Sequence, residues 1–259
     1  MSVKGKVALI TGGGSGLGEA AARILAREGA KVAVLGRTPE QVEQAAASIK
    51  NDGGQAMAVT ADISLPNELQ PAIQQVIDRW GQLDILFANA GINGVWAPID
   101  ELTPEEWQKT ININLNGTFY TIKYAAPHLK KNGGSVIITS SINGTRTFTN
   151  TGATAYSCTK AAQVAMAKML ALELAKYRVR VNVICPGAIE SEIEENTEKR
   201  DVEREQEPAQ YPEGDIPLTD GKPGAAEEVG KLVLFLASDQ SQHITGTEMW
   251  IDGGQSLMH

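Results

Sequence analysis

Residues 7–18 read VALITGGGSGLG, a short apolar run followed by a turn in which five of the eight residues from Thr11 onward are glycine. They lead into EAAARILA at 19–26, which has helical composition. A glycine-rich junction between a strand and a helix suits a phosphate, because the first-turn N–H groups and the positive end of the helix dipole face the anion. The common dinucleotide fingerprint GxGxxG fails when laid on the first glycine: Gly12 and Gly14 match, but Leu17 stands where the third glycine should be. A GxGxxA frame fits residues 16–21 but begins too far from the strand end. The workable spacing is GxxxGxG. Gly12 makes the tight turn, Gly16 and Gly18 let backbone approach a pyrophosphate and helix pack on strand, and Gly14, Ser15 and Leu17 complete the cradle. By itself such a loop also suits a plain connecting turn.

Apolar runs like 7–10 recur at 32–35, 56–59, 85–88, 136–138, 179–184 and 249–251. Between them lie segments of helical period at 17–28, 39–50, 66–80, 104–129, 155–177 and 225–238, several opened by start signals such as Thr38-Pro39 and Thr103-Pro104. Strands alternating with helices need crossover connections, so the reading is α/β: one domain built on a doubly wound parallel sheet of about seven strands with helices on both faces. No internal repeat or Pro/Gly/Ser-rich linker divides the 259 residues. The stretch 190–224 has no sheet pattern and reads as a polar helix followed by a long loop, a candidate substrate lid.

Charge separates this stretch from the rest. The formal charge is −8, and 190–215 carries the whole excess, with eleven acids against Lys199, Arg200 and Arg204. Carboxylates at helical positions usually form a solvated face, and that is the expectation here; selection against anionic substrates is the alternative. An acidic chain with 42% hydrophobic residues suits a soluble enzyme and not a nucleic-acid binder. No apolar run reaches membrane-spanning length and the opening MSVKGKVALITG shows no cleavage pattern, so a cytoplasmic protein with no membrane partner is expected. Cys158 and Cys185 and three scattered histidines offer neither a disulfide framework nor a metal site; both cysteines are expected as buried small apolar residues.

A dinucleotide fold that binds NAD usually carries an acidic residue at the end of its second strand for the ribose hydroxyls. Here that strand ends Val34-Leu35-Gly36-Arg37. A guanidinium in place of a carboxylate suits a 2′-phosphate, so NADP(H) is favoured over NAD(H). Tyr156 and Lys160 lie four apart at the start of a predicted helix, on one face. An ammonium beside a phenol favours the phenolate and brings tyrosine into range as a general acid/base. Ser141 follows the fifth strand, Asn89 the fourth, and Asn114 lies in the helix between them, so all can converge at one sheet edge. Ser140 competes with Ser141 for the active hydroxyl, since neighbours on a strand face opposite ways.

Taken together, these matches resemble the short-chain dehydrogenase/reductase family over nearly the whole chain. They come in the family's order: Thr11-Gly12-x-x-x-Gly16-x-Gly18, Asp62, Asn89-Ala90-Gly91, Asn114, Ser141-x-x-Gly144, Tyr156-x-x-x-Lys160, Pro186-Gly187 and Ile251-Asp252-Gly253-Gly254. The resemblance implies a Rossmann-like fold and hydride transfer between the cofactor and a small-molecule ketone or alcohol. Tyr156 would be the acid/base, Lys160 would lower its pKa and hold the nicotinamide ribose, Ser141 would hold the substrate oxygen, and Asn114 would keep a water in line for proton relay. Asp62 with Ile63 would bound the adenine, Asn89, Ala90 and Gly91 would line the adenine-ribose side, and Pro186, Gly187, Ile189 and Ser191 would shape the nicotinamide pocket. Asp62 could alternatively be only a cap, and Asn114 could satisfy backbone in a kinked helix. A homo-oligomer, often a tetramer, is implied through the helices at 104–129 and 155–177.

Two departures from the family's pattern stand out. The segment from Ser141 to Tyr156, SINGTRTFTNTGATAY, is about two residues longer than usual, and serine stands at 191 where threonine is frequent. Substrate contacts are expected from Trp96, Asn143, Phe148 and the lid. The leading function is an NADP(H)-using carbonyl reductase or alcohol dehydrogenase, with an NAD-dependent enzyme of the same family as the alternative. Epimerase or dehydratase chemistry would call for an added substrate domain. A non-catalytic dinucleotide-binding protein would not need the Asn114, Ser141, Tyr156 and Lys160 set.

Overall fold

A computed structural model describes residues 2–190, 197–205 and 216–258. Seven strands form its main sheet: β1 (Val7–Thr11), β2 (Lys31–Gly36), β3 (Gln55–Thr60), β4 (Ile85–Ala88), β6 (Gly134–Thr139), β7 (Val179–Pro186) and β9 (Glu248–Ile251). The sheet is parallel throughout, in the order β3-β2-β1-β4-β6-β7-β9. Helices α1 (Gly16–Arg27), α2 (Pro39–Asn51) and α7 (Ala226–Ala237) cover one face, and α3 (Pro66–Trp80), α5 (Gly117–Asn132) and α6 (Thr154–Ala175) cover the other.

Alternation along the strands sorts the core. Val7 and Leu9 face the layer of Leu69, Ile122 and Leu174, whereas Ala8 and Ile10 face that of Leu25, Ile49 and Val233. Both faces are dry, which is why the strands read as near-continuous apolar runs. The chain winds outward through β1, β2 and β3, then returns to place β4 on the other side of β1. The carboxyl ends of β1 and β4 therefore flank the point where the winding reverses, the usual crevice for a ligand in such sheets.

Two elements differ from the expected pattern. The helix expected over 104–129 is α4 (Pro104–Thr110) joined to α5 by a wider, π-helical turn at Ile111–Asn116. Thr103 and Glu106 close a reciprocal capping box at its start. A two-residue parallel ladder, β5 (Val95–Trp96) with β8 (Glu198–Lys199), stands outside the main sheet. Where a polar helix was expected, residues 197–205 instead hold this strand and a 3-10 turn at Val202–Glu205. Cys185 is buried as expected, but Cys158 is exposed on α6.

Candidate active site

The glycine loop is drawn tight between β1 and α1. Gly12 (φ +64°) and Gly16 (φ +49°) take left-handed conformations that favour glycine. A Cβ on Gly18 would fall inside the Gly12 carbonyl, so only hydrogen lets the helix sit this close to the strand end. Gly14 packs on α2, where a Cβ would lie 2.9 Å from that of Gln41. Ser15 stands at the N-cap of α1 without a side-chain cap bond. The first-turn donors therefore stay uncapped at the sheet's carboxyl edge, and the cradle suits a dinucleotide pyrophosphate.

Around it, Asn89 ties three strand ends together. Its Nδ2 donates to the Thr11 carbonyl at 3.3 Å, and its Oδ1 accepts from Thr139 Oγ1 at 3.0 Å. Thr11 Oγ1 accepts from the N–H groups of Asn89 and Ala90. Asp62 caps its own turn, accepting from the Ser64 N–H at 2.8 Å and hydroxyl at 2.7 Å. Ile63 is buried against Gly117. Arg37 is exposed at the end of β2. The segment after β7 is fixed by Gly187 N–H to the Ile251 carbonyl and by Ala188 N–H to Gln255 Oε1 at 2.8 Å. Beside it a cleft of about 680 Å³ opens between Ile189, Ile216 and Trp250, and Tyr156 is not among its lining residues. Ser191, and the acidic Glu194 and Glu195, lie outside the described residues.

The π-helical turn does specific work at Asn114. Widening the turn frees the Asn114 carbonyl, which accepts from Gln163 Nε2 at 2.9 Å and Thr118 Oγ1 at 2.7 Å. The Asn114 carboxamide meets the Ile92 backbone twice, accepting from its N–H and donating to its carbonyl, both at 2.8 Å. Asn114 Nδ2 also reaches Thr159 Oγ1 at 3.2 Å, and that hydroxyl donates to the Tyr156 carbonyl at 2.6 Å. Asn114 thus does satisfy backbone, and it does so while joining the β4 loop to the Tyr156 turn. Thr159 and Gln163 were not singled out from the sequence; their only signal is their place on the face of α6 that carries Tyr156 and Lys160.

Ser141, Tyr156 and Lys160 come together on the same edge. The Ser141 hydroxyl favours the ionised form of the Tyr156 phenol, whereas Ser140 turns away and donates to the Lys160 carbonyl at 2.8 Å. Lys160 Nζ donates to the Thr139 carbonyl at 2.9 Å and sits 5.3 Å from the Tyr156 ring centroid. A Cβ on Gly91 would lie 3.1 Å from Asn114 Oδ1 and 3.7 Å from Lys160 Nζ, so Gly91 leaves the space where these groups converge.

Burial opposes the expected lowering of the Tyr156 pKa by Lys160. Burial raises the phenol above its usual value and outweighs the Ser141 hydrogen bond. Burial also lowers Lys160 to about 8, with Cys185 opposing, so the ammonium is itself weakened. Both groups are desolvated by the same packing, and desolvation penalises whichever form carries charge.

The residues expected on the substrate side lie on a rim of two loops. Trp96 Nε1 donates to the Asn93 carbonyl at 3.3 Å. Asn143 accepts from Asn150 Nδ2 at 2.6 Å, and its N–H donates to Ser141 Oγ at 3.1 Å. Phe148 is 74% exposed at the tip of the long loop. Arg146 lies on Trp250, 3.5 Å from the ring centroid, and so anchors that loop to β9.

A family model described as enoyl-(acyl carrier protein) reductase matches residues 12–256. The chain is 36% identical over 258 residues to an L-rhamnose-1-dehydrogenase of Scheffersomyces stipitis, covering 97% of this chain and 96% of that one. A crystal structure of a 3-ketoacyl-ACP reductase from Sinorhizobium meliloti 1021 is 53% identical and superposes with a TM-score of 0.94, covering 98% of this chain and 100% of the other. A 3-ketoacyl-(acyl-carrier-protein) reductase from Brucella melitensis complexed with NADH is 31% identical, with a TM-score of 0.86 and coverage of 98% and 100%. Among the described residues no helix is long and apolar enough to cross a membrane.

Proposed function

The chain belongs to the short-chain dehydrogenase/reductase family and is an oxidoreductase working with a nicotinamide cofactor, and from that premise we propose that it interconverts a small-molecule ketone and secondary alcohol. The observation that carries this reading is the Ser141–Tyr156 hydroxyl pair beside Lys160, at the edge where the glycine loop ends. Tyr156 gives its phenolic proton to the carbonyl oxygen during reduction and takes the proton from the alcohol during oxidation. Ser141 holds that oxygen. Lys160, already tied to the Thr139 carbonyl, holds the nicotinamide ribose, and Asn114 keeps the proton-relay geometry by fixing Ile92. When bound, the cofactor supplies the hydride or receives it.

Gly12, Gly14, Ser15, Gly16, Leu17 and Gly18 would hold the pyrophosphate. Arg37 would take the 2′-phosphate, so NADP(H) is the proposed preference; its exposure at the β2 end supports the reading. Asp62, Ile63, Asn89, Ala90 and Gly91 would flank the adenosine, and Pro186, Gly187 and Ile189 the nicotinamide. Residues 190–224 serve as the substrate lid. A homo-oligomer is proposed through α5 and α6, supported by Phe119, Met169 and Leu172, which are 46%, 75% and 83% exposed there.

Turnover of a panel of ketones and alcohols, followed by absorbance of the reduced nicotinamide with both cofactors, tests the reading alongside Tyr156→Phe. The variant is expected to lose at least about a hundredfold in kcat and to bind cofactor as the parent does. Activity at the parent level in Tyr156→Phe would overturn it.

A further inference from the structure

The acidic stretch contains only three cations, Lys199, Arg200 and Arg204, and each is held against the segment from Trp96 to Glu106. Lys199 Nζ lies 5.2 Å from the Trp96 ring centroid. Arg204 Nη2 reaches Glu101 Oε1 at 2.7 Å. Arg200 Nη2 donates to both carboxylate oxygens of Glu106 at 2.8 Å. Backbone reinforces these pairs: β8 runs parallel to β5, and the Arg200 N–H donates to the Trp96 carbonyl at 2.9 Å. Asn93 Nδ2 donates to Thr197 Oγ1 at 2.6 Å. Val202 closes the other side, since a Cβ on Gly152 would lie 2.7 Å from Val202 Cγ1 and 2.8 Å from the Ala97 nitrogen. Residues 197–205 therefore form a strap touching both loops of the rim, the one that leaves Gly91 and the one that returns to Tyr156.

The two arginine pairs are not equivalent. Arg204 shares its guanidinium with Glu205 and is more than half exposed. Glu106 is the residue that closes the capping box of α4, where its Oε2 accepts from the Thr103 N–H at 3.0 Å. From there α4 runs without a break into the turn that carries Asn114. One carboxylate thus joins the strap to the helix that places Asn114 against Ile92.

We propose that Arg200 is a positioning residue for substrate binding: through Glu106 it seats the 197–205 strap on the ledge at 93–97, so that the strap backs the rim that carries Trp96. The proposal rests on the function proposed above. It assigns to Arg200 the fit of the substrate, and neither cofactor binding nor the chemical step. Because the pair is only partly buried, added salt weakens it.

The test compares Arg200→Gln, Arg200→Lys, Glu106→Gln and the Arg200→Gln/Glu106→Gln double variant in the full chain. The readouts are amide hydrogen exchange over 95–96 and 198–200, NADPH affinity by fluorescence, and KM and kcat with acetoacetyl-CoA and L-rhamnose as probes. Arg200→Gln is expected to speed exchange in the ladder and raise KM, each about fivefold, with kcat and NADPH affinity held. Arg200→Lys, which keeps a donor for Glu106, should restore the parent's values to within about twofold. The double variant should add little to Arg200→Gln, because the two residues act as one unit. Unchanged exchange in Arg200→Gln overturns the proposal, as does faster exchange with an unmoved KM, or a loss in kcat and NADPH affinity equal to that in KM. Exchange is read without turnover, so should neither probe react it decides alone. Persistent activity in Tyr156→Phe would instead sink the proposed chemistry, and exchange would then decide the role of Arg200.

Discussion

The Asn114 carboxamide binds the N–H and the carbonyl of Ile92 at once, both at 2.8 Å. Asn114 is fully buried, so removing its side chain leaves two partly buried backbone groups of Ile92 without these partners. Asn114→Ala is expected to cost about 2–3 kcal/mol in urea unfolding and to depress kcat through loss of the Ile92 position. Asn114→Asp keeps the acceptor for the N–H but turns a carboxylate on the Ile92 carbonyl, and should fare no better. A variant with parent stability would show that the β4 loop is held by something else.

At the glycine loop, the neighbour decides the outcome. A methyl on Gly18 would overlap the Gly12 carbonyl, a backbone atom that cannot give way without moving the strand end. Gly18→Ala is expected to cost about 3 kcal/mol or more and to abolish cofactor affinity. Gly14→Ala meets the Gln41 Cβ at 2.9 Å and α2 backbone at 3.2 Å, a milder overlap than the one at Gly18, and should cost about 1–2 kcal/mol. Urea midpoints and cofactor fluorescence of the two variants give the comparison; equal losses would contradict it.

Stability should also depend on pH through Lys160. The folded chain lowers this amine from 10.5 to about 8, so between those values the unfolded chain binds more protons. Stability therefore rises with pH across that window, and the full penalty of burying the charge is present below it. Tyr156 has the opposite sign: its raised pKa makes stability fall once the pH exceeds its usual value of 10. Lys160→Met should flatten the rise and, at pH 7, stabilise the chain without cofactor by about 3 kcal/mol, less what the lost bond to Thr139 contributes. Urea unfolding between pH 7 and 10 measures both; an unchanged slope would rule out Lys160 as its source.

The proposed NADP(H) preference rests on one exposed side chain, Arg37. Arg37→Asp is expected to weaken NADPH binding about tenfold or more and to improve NADH binding, since a carboxylate there repels a 2′-phosphate and accepts from ribose hydroxyls. Fluorescence titration of both cofactors reads the result. Unaltered NADPH affinity would remove Arg37 from the phosphate site.

The sheet was legible because both its faces are buried. Each strand therefore shows as an apolar run, and the ends of Ile85–Ala88 and the helix at Pro66–Trp80 come out to the residue. Ser141, Tyr156 and Lys160 were legible through spacing and order. Other features have no local signature. The β5–β8 ladder pairs strands of two residues about a hundred positions apart, too short to show any period. Arg200 was counted among the charges of a solvated face because its partner, Glu106, lies on another element. The sign of the Tyr156 shift was misread because spacing brings Lys160 near but says nothing of how dry both groups become.

The wide turn at Ile111–Asn116 also separates two rotational settings along one helix axis. Upstream, α4 presents Glu106 to the rim; downstream, α5 presents Ile122, Ala125 and Leu129 to the core. A regular helix would lock those two directions together, about 100° per residue. The π-helical turn relaxes that lock at Asn114, whose carboxamide reaches Ile92. Excising a single residue from this turn would swing the rim end around the axis while every apolar contact of α5 stayed in place. The molecule would remain folded and have its amide facing the wrong way.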